Sequence, residues 1–347
     1  MHYILSKDES WIKTLRKEIT ADFTKAFSPV ERLPVIRIFE EIDFKNSYMA
    51  FSSTALINVY EIAEDSVSKQ TIKILEYIFP LIPEGVEINF HAYGITHKYG
   101  IIETGRAEIF KGKILSALRM KNISCHKKGF NRQNGFLQIL VMANRSLAIS
   151  YIKESEMNEY HSLLSPFIGG FNNVEDDKQA PSRAFKKIVE AQELMGKYIL
   201  PGELLVDLGA CPGGWSYIAR KNGARVIAVD RSPLHKNLMS DKKIEFIKGD
   251  AFKYKTSEAV DWVVSDIICA PERILELLES WVVTNHCKNF IFTIKFQGQK
   301  DYGILKKFKK MSSVLNYKII LKQLNANKNE VTIMGTKEDL KQQIPLE

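Results

Sequence analysis

The sequence predicts an α/β domain built on a seven-stranded, mainly parallel sheet with an antiparallel edge hairpin, preceded by an α+β region. Three observations carry this reading. Short apolar runs alternate with helical periodicity from Leu204 to Lys295, the pattern of a doubly wound sheet. The last two apolar runs are joined only by the short Asn325 to Glu330 segment, with no helix between them, so they should pair antiparallel at the sheet edge. Upstream, the stretch SPFIGGFNNVEDDKQAP from Ser165 to Pro181 is rich in Gly, Pro, Asn and Asp and poor in periodic apolar positions, which marks a linker or long surface loop.

In the second half the expected strands are Leu204 to Asp207, Arg225 to Val229, Ile244 to Ile247, Trp262 to Asp266, Asn289 to Lys295, Tyr317 to Leu324 and Val331 to Met334, with helices over Gly214 to Asn222 and Pro271 to Thr284. In the first half, strands are expected at Tyr3 to Leu5, Val35 to Phe39, Tyr48 to Phe51, Val86 to His91, Phe136 to Met142 and Leu147 to Ile152. Helical patterns run near Ser10 to Ile19, Ser66 to Ile78 and Thr104 to Lys121. These divide the chain into an N-terminal α+β subdomain over 1–65, a basic domain over 66–165, a linker over 166–181 and an α/β domain over 182–347.

The composition is that of a folded chain long enough for two domains: 347 residues, 45% hydrophobic, 26% charged and 10% aromatic, which excludes disorder, collagen and coiled coil. No apolar run approaches the roughly 18 residues of a membrane span, and Met1-His2-Tyr3-Ile4-Leu5-Ser6-Lys7-Asp8 lacks a basic start and a long apolar stretch. A cytosolic soluble chain with no membrane partner is therefore expected. Cys125, Cys211, Cys269 and Cys287 are far apart and have no His at ligand spacing, so neither structural disulfides nor zinc is expected.

Charge placement says more than the net charge of +8. Between Ile101 and Ser150, nine basic residues (Arg106, Lys111, Lys113, Arg119, Lys121, Lys127, Lys128, Arg132 and Arg145) face two acids, Glu103 and Glu108. Such a concentration suits a polyanion-binding surface, and a solvated helix face is the alternative. Lys306, Lys307, Lys309 and Lys310 form a second cluster, for which the solvated face is the preferred reading.

LLVDLGACPGGW, from Leu204 to Trp215, is a buried strand ending in Asp207 that runs through a glycine-rich turn into a helix. Gly209, Gly213 and Gly214 allow a tight turn and close approach to a ligand, and the helix start points amide donors into the crevice. The spacing is not GxGxxG, which disfavours a dinucleotide pyrophosphate cradle and an NAD-dependent oxidoreductase. Asp230 ends the second strand, where a carboxylate can accept both hydroxyls of an adenosine ribose, and Asp250 follows the third, within reach of an adenine amino group. Three acids at successive strand ends suit S-adenosylmethionine (SAM), although each alone could simply cap a strand or helix.

Four further polar residues stand where apolar ones are expected: Asp266 in WVVSD, Lys295 in FIFTIKF, Glu330 before VTIM, and Lys187 on the helix after Ser182-Arg183. A lysine in so apolar a strand costs several kcal/mol unless it is paired or neutral. Lys295 is thus a functional candidate, with structural pairing to Asp266 or Glu330 as the alternative.

The ordered pattern SRAFKK, DLGACPGGW, SD, TIK and NEV resembles the FtsJ-like ribose 2'-O-methyltransferases, and DLGACPGGW behind a basic N-terminal half is similar to the RlmM branch of that family. The motif resemblance covers Ala180 to about Thr336. It implies a Rossmann-like SAM methyltransferase domain preceded by a THUMP-like RNA-binding region, acting on a cytidine 2'-hydroxyl of large-subunit (23S) ribosomal RNA, free or in an assembly intermediate. It also implies a catalytic tetrad of Lys187, Asp266, Lys295 and Glu330, and SAM contacts from Ser182, from the Asp207–Gly209 turn, from Cys211-Pro212-Gly213-Gly214 and Trp215, and from Asp230, Asp250 and Asp266. No metal is called for. IICAP after Asp266 departs from the Met-containing versions of the family. A small-molecule O-methyltransferase would not need the basic N-terminal half, and a ribosome-assembly factor with a spent catalytic domain would not need all four tetrad residues.

Overall fold

The computed structural model describes residues 1–337 apart from 24–26, 30–32, 40–42, 97–99, 103, 127–128, 173, 257 and 285. The chain divides into two compact units, Met1–Asn172 and Asn173–Glu347.

The first unit holds two sheets. One has the order β2-β3-β1-β4, all antiparallel, from β1 (His2–Ser6), β2 (Phe27–Pro29), β3 (Val35–Ile38) and β4 (Ser52–Leu56), with helix α1 (Ile12–Asp22) between β1 and β2 in the chain. The other comprises β5 (Tyr60–Ile62), β6 (Glu87–Thr96), β7 (Gly100–Ile102), β8 (Ser124–Cys125), β9 (Gly135–Val141) and β10 (Leu147–Ile152), ordered β5-β10-β9-β6-β7 with β8 against β6. Helices α2 (Val67–Ile78) and α3 (Gly105–Met120) are capped by Ser66 and Thr104, whose side chains accept from Lys69 N and Ala107 N. Their apolar faces, including Ile74, Ile78, Phe110, Ile114 and Leu118, bury against Ile88, Leu137, Ile139 and Ile149 of the second sheet. Tyr3, Leu5 and Leu56 of the first sheet share another core with Tyr93, Leu140 and Ala148 of the second.

The strand expected at Tyr48 to Phe51 does not form. Both oxygens of Glu18 take the amides of Ala50 and Phe51, at 2.8 and 3.0 Å, which removes the donors a ladder would need, and pairing begins at Ser52 in β4.

The second unit carries β11 (Leu204–Leu208), β12 (Arg225–Asp230), β13 (Ile244–Lys248), β14 (Val260–Ser265), β15 (Cys287–Lys295), β16 (Lys318–Lys322) and β17 (Glu330–Thr336). Their order is β13-β12-β11-β14-β15-β17-β16, parallel from β13 to β15 and antiparallel across β17 and β16. The expected seven strands and edge hairpin are present. Helices α4 (Phe185–Met195), α5 (Gly214–Lys221), α6 (Lys236–Met239), α7 (Pro271–Val282) and α8 (Leu305–Val314) complete the unit. Central strands such as β14 and β15 are buried over nearly their whole length, which requires cover on both faces and explains their unbroken apolar runs. The strand order reverses at β11, so the ends of β11 and β14 open a crevice of the kind that holds ligands in such sheets.

No helix among the described residues is long and apolar enough to cross a membrane.

Candidate active site

The glycine turn at the end of β11 is built around close approaches. Gly209 takes φ +77°, and a Cβ there would lie 2.1 Å from Ile267 Cγ1. Gly214 starts α5 against Ser182, whose Oγ would stand 2.5 Å from an added Cβ. Asp207 is 2% exposed beneath this turn, and its Oδ2 accepts from the Ser216 amide at 3.0 Å and hydroxyl at 2.7 Å. Burial pushes its carboxyl up to about 7, against the opposing effect of the Ser216 hydrogen bonds. Asp207 therefore braces α5 from below the turn.

Asp230, the last residue of β12, accepts from Cys211 N at 3.0 Å and Ser232 N at 2.8 Å, which ties its carboxylate to the glycine turn. The thiol of exposed Cys211 donates to Pro233 O, and the Cys211–Pro212 peptide bond is cis. Asp250 accepts from Phe252 N at 3.0 Å and pairs with Arg231 at 2.8 Å, and these two partners hold its carboxyl below the usual range. Arg231 is a further residue of this site, and its place directly after Asp230 is its sign in the sequence.

Trp215 stands apart from the other turn residues. It is 3% exposed, and its indole N–H donates to Ala184 O at 2.8 Å. This bond fastens the start of α5 to the segment that leads into α4, and so to Lys187.

The four residues of the expected tetrad meet at the C-terminal edge of the sheet. Lys187, in the first turn of α4 and 7% exposed, places Nζ 3.0 and 3.2 Å from the two Asp266 oxygens and 2.6 Å from Glu330 Oε2. Lys295 Nζ lies 3.1 Å from Asp266 Oδ1 and donates to the Asp266 carbonyl at 2.8 Å. Asp266 follows β14 directly, while Lys295 and Glu330 are opposite each other at the end of the β15–β17 ladder. Two lysines thus share one carboxylate, and a second carboxylate contacts Lys187. A buried cluster of this kind is tolerated because each charge is paired.

Glu190 is a further residue that the sequence did not flag. It is 2% exposed on α4, one turn from Lys187, and its carboxylate accepts from the amide and side chain of Asn325, tying α4 to the β16–β17 connection that leads to Glu330.

The basic residues of the first unit are placed unevenly. Arg106 turns inward, donating to Asp65 O at 2.8 Å and Gln70 Oε1 at 2.7 Å. Lys111 pairs with Glu108, Lys121 with Glu84 and Arg145 with Glu64. Arg132 is 8% exposed, with its guanidinium near the Phe130 ring. Lys113 and Arg119 are exposed on α3, whereas Lys127 and Lys128 lie outside the described residues. Lys306, Lys307 and Lys310 are exposed on α8.

The family model of the FtsJ-like methyltransferases matches residues 180–334, the span that holds every tetrad and crevice residue above. Ribosomal RNA large subunit methyltransferase M of Saccharophagus degradans strain 2-40 is 30% identical over 240 residues, which cover 64% of this chain and 67% of that protein. The chain belongs to this methyltransferase M branch of the FtsJ-like family. The protein of the same name from Azoarcus sp. strain BH72 is 31% identical over 179 residues, 48% of this chain and 49% of that one. The chain thus spans about half the length of the first relatives it matches, 49% in each of two. Among solved structures, the fibrillarin pre-rRNA processing protein of Methanococcus jannaschii aligns at 20% identity and a TM-score of 0.34, covering 44% of this chain and 76% of that one. The methyl donor of FtsJ-like methyltransferases is SAM. The crevice has the chemistry such a cofactor calls for: a left-handed glycine turn with the Asp230 and Asp250 carboxylates beside it.

Proposed function

We propose that the chain is a SAM-dependent ribose 2'-O-methyltransferase acting on a cytidine of 23S ribosomal RNA, free or in an assembly intermediate, in the cytoplasm. Residues 182–347 are its catalytic domain, 166–181 its linker and 1–165 its RNA-binding region, with a THUMP-like domain over 66–165. The observation that carries this reading is the convergence of Lys187 and Lys295 on the single carboxylate of Asp266, beside the glycine turn.

SAM, when bound, supplies a methyl group already activated on a sulfonium. The chain's own task is to hold and deprotonate a ribose hydroxyl, with the oxygen about 3 Å from the methyl carbon and in line with the departing sulfur. An amine nitrogen has three outward positions besides its carbon. On Lys187, the two Asp266 oxygens and Glu330 Oε2 surround the amine, and in this reading one of its N–H groups turns from the Asp266 carboxylate to the incoming hydroxyl and the developing alkoxide. On Lys295, the Asp266 carboxylate and carbonyl take two hydrogens, and the third position is then free to carry the lone pair that accepts the hydroxyl proton. Lys295 is therefore the general base, and Asp266 and Glu330 orient the two lysines. Ser182, Gly209, the Cys211–Gly214 turn, Asp230, Asp250 and Asp266 hold the cofactor, with Asp207 and Trp215 supporting that turn from beneath.

The tetrad contacts ribose and phosphate-borne RNA must be gripped elsewhere, by exposed cations such as Lys113 and Arg119. The test is transfer of labelled methyl from SAM to unmethylated 23S rRNA, with nuclease digestion and mass mapping of the product and Lys295→Ala in parallel. One 2'-O-methylated cytidine, absent with the variant, is expected. A chain that binds the cofactor but labels only a small molecule would overturn the assignment.

A further inference from the structure

The β15–β17 ladder ends at the Lys295–Glu330 pair, so both side chains stand where a two-stranded register is free to fray. Beyond that point the backbone continues as Phe296 on one strand and Asn329 on the other. Phe296 N donates to Asn329 O at 3.0 Å, and the Asn329 side-chain amide donates to Phe296 O at 2.8 Å. The side chain thus supplies a rung that the backbone alone would not. The remaining Asn329 oxygen accepts from the Tyr302 hydroxyl at 2.6 Å. The Tyr302 ring meets Phe296 edge-on, with centroids 4.9 Å apart at 85°, and Phe296 is 7% exposed. Tyr302 is itself held by a turn in which Asp301 Oδ2 accepts from the amides of Gln297 at 2.9 Å and Gly298 at 3.1 Å.

We propose that Tyr302 and Asn329 are positioning residues that clamp the end of this ladder and so fix Lys295 and Glu330 against Asp266 and Lys187; this rests on the functional reading above. The clamp closes on itself: Lys295 leads through Phe296 and the Gln297–Asp301 turn to Tyr302, and Tyr302 returns through Asn329 to Glu330. Neither residue is one of the four tetrad side chains. Their effect runs through the distance from Lys295 Nζ to the ribose hydroxyl, to which transfer is far more sensitive than binding is.

The experiment uses the full chain with the wild type, Tyr302→Phe and Asn329→Asp. It measures kcat and KM for 23S rRNA transfer, the pH dependence of kcat, and affinity for S-adenosylhomocysteine by calorimetry. Tyr302→Phe removes one oxygen and keeps the ring contact. It should lower kcat about tenfold and displace the limb of the pH profile that reports the base, with KM and S-adenosylhomocysteine affinity within about twofold of the wild type. Asn329→Asp keeps an acceptor for Tyr302 but sets an oxygen against Phe296 O, and should lose more. If Asn329→Asp does not fold, Tyr302→Phe alone decides. An active wild type with a Tyr302→Phe variant of unchanged kcat and pH profile, or one whose loss lies in KM, overturns the clamp and leaves the functional reading standing. A wild type that binds S-adenosylhomocysteine and methylates no RNA overturns that reading, and the clamp with it.

Discussion

Lys187 and Glu330 meet at 2.6 Å, one from the first turn of α4 and the other from the first residue of β17. The pair fastens the first helix of the α/β unit to the last strand in its sequence, and Asp266 joins it from the end of β14, with β15 between β14 and β17. Removing the cation leaves two mostly buried carboxylates side by side. Lys187→Met should therefore reduce transfer at least about 100-fold and also destabilise the unit by roughly 2–4 kcal/mol. Urea unfolding beside the transfer assay checks both; loss of activity at unchanged stability would mean that the pair contributes little to the fold.

Among the described residues, Lys295 pairs with one carboxylate and Lys187 with two. Lys295→Ala should lower transfer by about a thousandfold, the range associated with a general base, while S-adenosylhomocysteine affinity stays within about twofold. Asp230→Ala should do the reverse, weakening the cofactor product first, because its carboxylate is tied to the glycine turn and not to the tetrad. Calorimetry in which the two variants exchanged these effects would overturn the assignment of roles.

The convergence of these side chains is legible in sequence because each is a residue that its surroundings do not explain: Lys295 in an apolar strand, Asp266 and Glu330 at strand ends, glycines before a helix. The same reasoning mistook Tyr48 to Phe51 for a strand, since an apolar run carries no sign that a distant carboxylate, Glu18, will take its amides. The motif likewise carries no sign of the bond from Trp215 to Ala184 O, which depends on how α4 and α5 pack. The contacts of Tyr302, Asn329 and Glu190 are not legible in the sequence for a related reason, although Asn329 stands in the NEV motif. Their partners are set by tertiary register, and a tyrosine or an asparagine in a loop has no periodicity to break.

Charge counting has the same limit in the first unit. Arg106 belongs to the basic stretch, but its guanidinium serves Asp65 O and Gln70 Oε1. Arg106→Ala should cost about 1–3 kcal/mol of stability by leaving those acceptors unmet, with RNA affinity unchanged in the folded fraction. Lys113→Glu with Arg119→Glu should leave the melting temperature unchanged. The pair should weaken RNA binding at every sequence and reduce the slope of log K against log salt by about 1–2. A titration over several salt concentrations separates the two cases, and a flat slope in the double variant would remove α3 from the RNA surface.

Asp207 predicts a pH dependence with an unusual sign for a carboxylate. Its folded value of about 7 lies above the ordinary 3.8, because burial outweighs the Ser216 hydrogen bonds. Between those values the folded chain holds a proton that the unfolded chain has released. The stabilisation is complete below about pH 3.8, shrinks as pH rises and is gone above about 7. His2 and His91 act oppositely over part of this range: burial holds both near 4, so they remove stability as pH falls from 6.5 toward 4 and would mask Asp207 in the wild type alone. Asp207→Asn isolates the effect, since an amide oxygen can still accept from Ser216 without titrating. The stability of Asp207→Asn minus that of the wild type should grow by on the order of 4 kcal/mol between pH 4 and 7 and then level off. Urea titrations of both proteins across that range measure the difference directly. A difference that stays constant would mean that Asp207 titrates alike in both states, and that water or a cation reaches the carboxylate beneath the glycine turn.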